Sequence, residues 1–290
     1  MRYKSLAKIN LGLDVIRKRE DGYHEVRMIM QTIHMYDQLD IVKSKKQRIA
    51  LTTNLPYIPT NENNLVSKAI RLLMDEFHIT GGVSVRLYKY IPVAAGLGGG
   101  SSDAAAAMIA MNRLFRLGLT EKELMERGSA IGADVPYCIM GGTALAEGIG
   151  EVLTPLPPMP KCYILLGKPG FSVSTRAVYE NLKLDQLTRR PDIDRMIAGL
   201  REQDIHKIAD SMGNVLETVT INRHPVIDKI KSQMLGNGAL GTLMSGSGPT
   251  VFGIFDEEKK ARNACIRLKR SRLVRQVFLT TPYNDGGKYE

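Results

Sequence analysis

The stretch Pro92-Val93-Ala94-Ala95-Gly96-Leu97-Gly98-Gly99-Gly100-Ser101-Ser102-Asp103, followed by four alanines, constrains the fold more than any other. Gly96 and Gly98 to Gly100 let backbone N–H groups crowd around one point without Cβ interference. An apolar, β-branched run at 83–91 precedes them, and a strong helix former at 103–116 follows. The hydroxyls of Ser101 and Ser102 then fall where that helix starts. A strand feeding a glycine loop feeding a helix is an anion site, because free N–H groups and the helix dipole both favour negative charge. The alternative is a flexible loop ending in a serine N-cap. The strand before, the alanine-rich helix after and the paired serines favour phosphate.

Three common phosphate loops are excluded. No Gly-Lys-Ser or Gly-Lys-Thr occurs, so this is no Walker A loop. Counting from Gly96, the third glycine of a dinucleotide fingerprint would stand at Ser101. Neither His-Arg-Asp nor Asp-Phe-Gly follows, which excludes a protein-kinase loop. A chain of 290 residues, 43% hydrophobic and 24% charged, has ample core for one large or two ordinary soluble domains. No apolar run reaches membrane-spanning length, and the N-terminus has no signal-peptide core. Cys138, Cys162 and Cys265 have no metal or disulfide spacing, which predicts free thiols in a reducing cytoplasm. The net charge of +10 suits nucleic acid or small polyanionic ligands, and its spread along the chain decides for neither.

Ala7, Ile9, Leu11, Leu13 and Val15 alternate with Lys8, Asn10 and Asp14, predicting a half-buried strand with Lys8 and Asn10 on its polar face. Asp21-Gly22 marks a turn into a second strand at 26–33, and 39–43 with 48–53 read as a further strand pair. Asn63 or Asn64 caps a helix to residue 77. Thr120 and Glu123 form a capping box for a helix ending near Gly132, and 141–150 reads as strand. Pro155, Pro157, Pro158 and Pro160 form a linker, dividing the chain into regions 1–155 and 161–290. Strands at 162–166, 239–244, 251–255 and 274–280 then alternate with helices at 175–182, 193–200, 205–212, 226–235 and 257–269. That order predicts a split βαββαβ layer of ferredoxin type with extra helices, and hence an α+β chain.

Phosphoryl transfer needs a phosphate cradle, charge neutralisation and a group that positions or deprotonates the attacking hydroxyl. In Gly132-Ala133-Asp134-Val135-Pro136, the proline pushes Val135 extended and leaves Asp134 at a helix-to-loop break. Asp134 is there either a base or a cap for the next turn. Lys8 is either a solvent-facing lysine or, beside Asp134, a group that holds a hydroxyl and a transferring phosphoryl. Tyr23 and His24 are either an aromatic pair at a hairpin turn or a surface on which a pyrimidine stacks and is read. Residues 245–250 form a tight glycine turn, either a plain hairpin or a set of donors brought to a cleft between regions.

Ala7-Lys8-Ile9-Asn10-Leu11, Asp21-Gly22-Tyr23-His24, the glycine loop, Gly132-Ala133-Asp134-Val135-Pro136 and Gly246-Ser247-Gly248-Pro249-Thr250 occur in this order. Together, over essentially the whole chain, they resemble the GHMP kinases, which include the galactokinase, homoserine, mevalonate and phosphomevalonate kinases. The resemblance implies a two-domain GHMP kinase fold, ribosomal-protein-S5-domain-2-like and then ferredoxin-like. It implies ATP and Mg²⁺, with Pro92, Val93, Ala94, Ala95, Gly96, Leu97, Gly98, Gly99, Gly100, Ser101 and Ser102 binding ATP. Lys8 and Asp134 match the family's catalytic pair, and Asn10, Tyr23, His24, Thr175 and Tyr179 match acceptor contacts. Gly246, Ser247 and Gly248 match its third motif. The Asp-Gly-Tyr-His and Gly-Ala-Asp-Val-Pro strings resemble the branch that phosphorylates the 2-hydroxyl of 4-diphosphocytidyl-2-C-methyl-D-erythritol in non-mevalonate isoprenoid precursor synthesis. A cytoplasmic enzyme with a small-molecule partner, and neither nucleic acid nor membrane, is implied. Another acceptor within the family, or a non-catalytic basic scaffold, are the competing readings. The metal ligands are left open, with Glu147 and Ser102 as candidates and ATP phosphates and water as the main expectation. Asp103 is read as a helix N-terminal residue turned away from the anion.

Overall fold

A computed structural model describes residues 1–284. Its first part runs β1 (Arg2–Lys18), β2 (His24–Ser44), β3 (Ile49–Thr53), α1 (Leu65–Glu76), β4 (Gly82–Tyr88), α2 (Gly99–Phe115), α3 (Glu121–Gly128), α4 (Val135–Met140), β5 (Thr143–Glu147) and β6 (Val152–Pro155). The rest runs β7 (Tyr163–Lys168), α5 (Thr175–Glu180), a 3₁₀ turn (Leu184–Gln186), α6 (Ile193–Glu202), α7 (Ile205–Ser211), β8 (Gly213–Asn214), α8 (Glu217–Arg223), α9 (Val226–Leu235), β9 (Gly241–Met244), β10 (Val251–Phe255), α10 (Glu258–Arg270) and β11 (Gln276–Thr280). No helix among the described residues is long and apolar enough to cross a membrane.

The strands form two sheets. In the first, the order is β3-β4-β2-β1-β8, and β5 joins the outer edge of β2 and carries β6. The second is antiparallel with order β11-β7-β10-β9, the arrangement of the expected βαββαβ layer. The sheets divide between Pro155 and Tyr163, but β8 crosses back and pairs in parallel with β1 at Gly12 and Leu13.

Two sequence expectations about strands fail for tertiary reasons. Residues 39–43 and 48–53 are not partners: 39–43 continues β2, and β4 lies between β2 and β3. Sequence neighbours read as a hairpin, but the long-range strand 82–88 takes both edges. β1 is not half-buried either, since Lys8 is 5% and Asn10 0% exposed. One of its faces packs Ala7, Ile9 and Leu11 against Ile164, Leu166, Phe252 and Ile254 of the second sheet. The other lies under α2 and the glycine loop. A register shift between Asn10 and Gly12 then turns Leu13 and Val15 into the core on the α2 side. Ala104 to Ala107 are fully buried there, because only a smooth helix surface fits so close to β1.

Candidate active site

The glycine loop turns on two residues with left-handed backbone. Gly96 has φ +76°, and a Cβ there would stand 2.1 Å from the Ser245 carbonyl oxygen. Gly98 has φ +69°, and its Cβ would stand 2.8 Å from Lys8 Cγ. Both are therefore glycine for conformation and for close approach. The Lys8 N–H donates to Leu97 O at 3.0 Å, and Ser245 Oγ donates to Gly96 O at 2.8 Å. The loop is thus pinned to β1 on one side and to the 245–248 turn on the other.

The helix after the loop starts earlier than residue 103, at Gly99, with Gly98 as an N-cap that offers no side-chain bond. Its first N–H groups, at Gly99, Gly100 and Ser101, are left to an anion. Ser102 is not at the helix start, and its hydroxyl is turned towards β1. It is 1% exposed, and its Oγ donates to Leu6 O at 2.7 Å, tying α2 to β1.

A cleft of about 990 Å³ opens at this point. Its lining brings together Lys8, Asn10, Tyr23, His24, residues 92–101, Asp134, Thr175, Tyr179, Gly246 and Ser247. Ser102 and Gly248 lie outside it. The lining also includes four basic side chains, Lys8, Lys18, Lys89 and Arg176, against four acidic ones, Asp21, Asp103, Asp134 and Glu180. The overall +10 charge is therefore not gathered here, and the free N–H groups at the start of α2 are the oriented dipoles that face the cleft.

Lys8 Nζ lies 3.4 Å from Asp134 Oδ2 and donates to Asn10 Oδ1 at 2.8 Å. The lysine side chain is 6% exposed and the aspartate 31%, so the carboxylate reaches the cleft while the ammonium is sheltered behind it. Asn10 is fully buried: its oxygen accepts from Lys8, and its Nδ2 donates to Met28 Sδ at 3.3 Å. Val135, expected to be extended, is the first residue of α4, with Pro136 tolerated in the first turn. Asp134 sits at the N-cap position but makes no capping bond, which excludes the simple cap reading. Tyr137 secures α4 by hydrogen bonds to Thr32 Oγ1 at 2.9 Å and to Gly142 O at 2.8 Å.

At the far end of the cleft, the His24 and Tyr179 rings meet at 5.2 Å with a 43° tilt. Tyr23 is 61% exposed at the rim. Desolvation, then Lys18, holds the His24 imidazole below its ordinary pKa. Burial, with Asp134 adding to it, pushes the Tyr179 phenol up. Thr175 Oγ1 shares a 2.8 Å hydrogen bond with Ser247 Oγ, joining α5 to the 245–248 turn. Glu147 lies outside the cleft and pairs with Arg27 at 3.4 Å.

Sequence reasoning missed Lys89, and with it the partner of Asp103. Asp103 is 2% exposed and paired to Lys89, which also pairs with Asp37. A charged residue at each end of the glycine loop was the available signal. Asn214 was also missed. Its Nδ2 donates to Met244 O and Gly246 O, at 2.8 and 2.7 Å, and so shapes the turn at Ser247.

Residues 64–142 match the GHMP kinases N terminal domain, and 196–272 match the GHMP kinases C terminal family. A 4-diphosphocytidyl-2-C-methyl-D-erythritol kinase of Lachnoclostridium phytofermentans is 54% identical over 277 residues, covering 96% of this chain and 95% of that one. One from Lachnospira eligens is 52% identical, with 98% of each chain covered. A crystal structure of 4-(cytidine 5'-diphospho)-2C-methyl-D-erythritol kinase superposes with a TM-score of 0.82 at 31% identity, covering 97% of this chain and 99% of that one. Homoserine kinase from Cytophaga hutchinsonii shares the fold, with a TM-score of 0.75 at 20% identity, covering 99% of this chain and 95% of that one. Identity at this level across nearly the whole length places the chain in the 4-diphosphocytidyl-2-C-methyl-D-erythritol kinase family of the GHMP kinases.

Proposed function

We propose that this small-molecule kinase transfers the γ-phosphoryl group of ATP to the 2-hydroxyl of 4-diphosphocytidyl-2-C-methyl-D-erythritol, in the cytoplasm. The observation that carries the reading is the Lys8–Asp134 pair, 3.4 Å apart in the same cleft as the uncapped N-terminus of α2. Region 1–155 supplies the nucleotide loop and the reacting pair. Region 161–290 closes the cleft through Thr175, Tyr179, Gly246 and Ser247, with Gly248 behind them in the same turn.

The triphosphate lies against residues 92–101, its oxygens taking the free N–H groups of Gly99, Gly100 and Ser101. Asp134 accepts the proton of the acceptor hydroxyl. The hydroxyl oxygen bonds to the γ-phosphorus as the bond to the β,γ-bridging oxygen breaks, and ADP leaves. Lys8, fixed by Asn10, orients the hydroxyl and neutralises charge that develops in transfer. The cytosine stacks among Tyr23, His24 and Tyr179, where a flat ring finds π-faces and a neutral imidazole finds a polar edge.

Mg²⁺ supplies charge neutralisation on the β- and γ-phosphates. Among the described residues, no group of three His, Cys, Asp or Glu side chains could hold a metal ion. A bound Mg²⁺ would take ligands from phosphate oxygens and water. Ser102 and Glu147 are engaged elsewhere, which leaves Asp134 as the cleft carboxylate nearest the reacting end.

The test is ADP release from Mg²⁺·ATP against a panel of acceptors: diphosphocytidyl-methylerythritol, methylerythritol phosphate, mevalonate, homoserine and galactose. Turnover with the cytidine compound alone is expected. Turnover with another acceptor would keep the kinase and overturn the assigned substrate.

A further inference from the structure

The backbone leaving β4 runs beyond the sheet ladder, whose last pair is Gln38 with Tyr88. Side chains take over from there. Asn54 stands in as a strand partner for Lys89: its Oδ1 accepts from Lys89 N at 2.8 Å, and its Nδ2 donates to Lys89 O at 3.2 Å. Asp37, fully buried on β2, accepts the N–H groups of Tyr90 and Ile91 on one carboxylate oxygen, at 2.5 and 2.7 Å. Its other oxygen binds Lys89 Nζ. That ammonium also donates to Asp103 Oδ2 at 2.6 Å.

Lys89 stands at the entrance to the glycine loop and Asp103 in the helix at its exit, so one buried ammonium ties the two ends together. It also lies against the backbone at the start of α2, since a Cβ on Gly99 would stand 3.3 Å from Lys89 Nζ. The other oxygen of Asp103 is buried without a hydrogen-bond partner. Two buried carboxylates sharing one lysine is a costly arrangement for stability alone. Burial outweighs the pull of Lys89 and raises the Asp103 carboxyl, so the cluster can hold a proton and stay near neutrality.

We propose that Lys89, clasped between Asp37 and Asp103, is a positioning residue that holds the glycine loop closed for the nucleotide phosphates. The clasp rests on the kinase reading above, because it assigns the loop to ATP. It acts through the loop backbone, so it governs the nucleotide and not the acceptor.

The test pairs Lys89→Met with Lys89→Met/Asp37→Asn. The double variant removes both charges and keeps an oxygen for the Tyr90 and Ile91 N–H groups. ADP affinity, and KM for ATP and for the acceptor, are measured separately, with circular dichroism to confirm the fold. The expected result is at least a tenfold loss of ADP affinity and a matching rise in KM for ATP. The acceptor KM stays within twofold, and amide exchange at 96–101 quickens more than in β1. If the single variant fails to fold, the double variant decides. ADP affinity within twofold of wild type in the folded variant would overturn the clasp, as would an equal rise in both KM values. A wild-type chain that binds no ADP would instead overturn the kinase reading and the clasp with it.

Discussion

In the proposed transfer, Lys8 and Asp134 differ first in exposure, 6% against 31%. Asp134→Asn keeps the shape and removes the proton acceptor, so kcat should fall by about 10²- to 10⁴-fold. ADP binding should stay within about twofold by calorimetry, because the nucleotide cradle is backbone. Lys8→Met should lower kcat while acceptor KM changes little, and unchanged steady-state kinetics would demote Lys8 to packing. His24 makes a pH prediction. Its pKa is depressed from 6.5, first by desolvation and then by Lys18, so the fold favours the neutral ring. That contribution is present above the unfolded pKa and is lost as pH falls through the folded one. Acceptor KM should therefore rise as pH falls below the ordinary imidazole range in wild type and stay flatter in His24→Gln. The residue types of this site were legible in the sequence, since Lys8, Asp134, Tyr23 and His24 stand in strings with few other uses. Their roles relative to one another were not. Asn10 reads as an acceptor contact from its strand face, yet its oxygen is occupied by Lys8.

The elements that matter most are β1 and the loop–helix unit. The strand–glycine–helix order was readable because glycine and alanine runs have few alternatives. The start of α2 was misjudged by four residues, Gly99 rather than Asp103, because glycine propensity argues against helix while the tight turn at Gly98 imposes it. Gly98→Ala adds a left-handed strain and a clash with the Lys8 stem. It should cost more than about 1 kcal/mol of stability in chemical denaturation and weaken ADP binding. Asp103 gives a second test at this scale. Burial first, against Lys89, pushes its carboxyl from 3.8 up to about 8. A raised carboxyl favours the protonated fold, so its contribution is lost as pH rises through the folded value. Melting temperature should thus fall more between about pH 6 and about pH 9 in wild type than in Asp103→Asn.

Across the whole molecule, β8 and α8 set the turn between β9 and β10 that lines the cleft. Asn214 holds the carbonyls of Met244 and Gly246, Glu217 accepts Met244 N at 2.8 Å, and Thr220 donates to Ser247 O at 3.3 Å. Asn214→Ala leaves two buried carbonyls without those donors, at a cost of about 1–3 kcal/mol. It should also raise KM for both substrates, since the 245–248 turn touches the loop at Gly96 and α5 at Thr175. A variant with wild-type kinetics and melting would remove Asn214 from this role. By itself the sequence determined the local pattern: the glycine loop feeding a helix, the strings that carry Lys8 and Asp134, the capping box at Thr120 and much of the order of strands and helices. These follow from periodicity, glycine placement and side-chain type within a few residues. Only the tertiary structure decided that β4 inserts between β2 and β3, that β1 is covered on both faces, and that Lys89, Asp37 and Asp103 meet. Each of those depends on segments far apart in the chain. Their pairing is set by which faces can be buried together, and no local pattern encodes that.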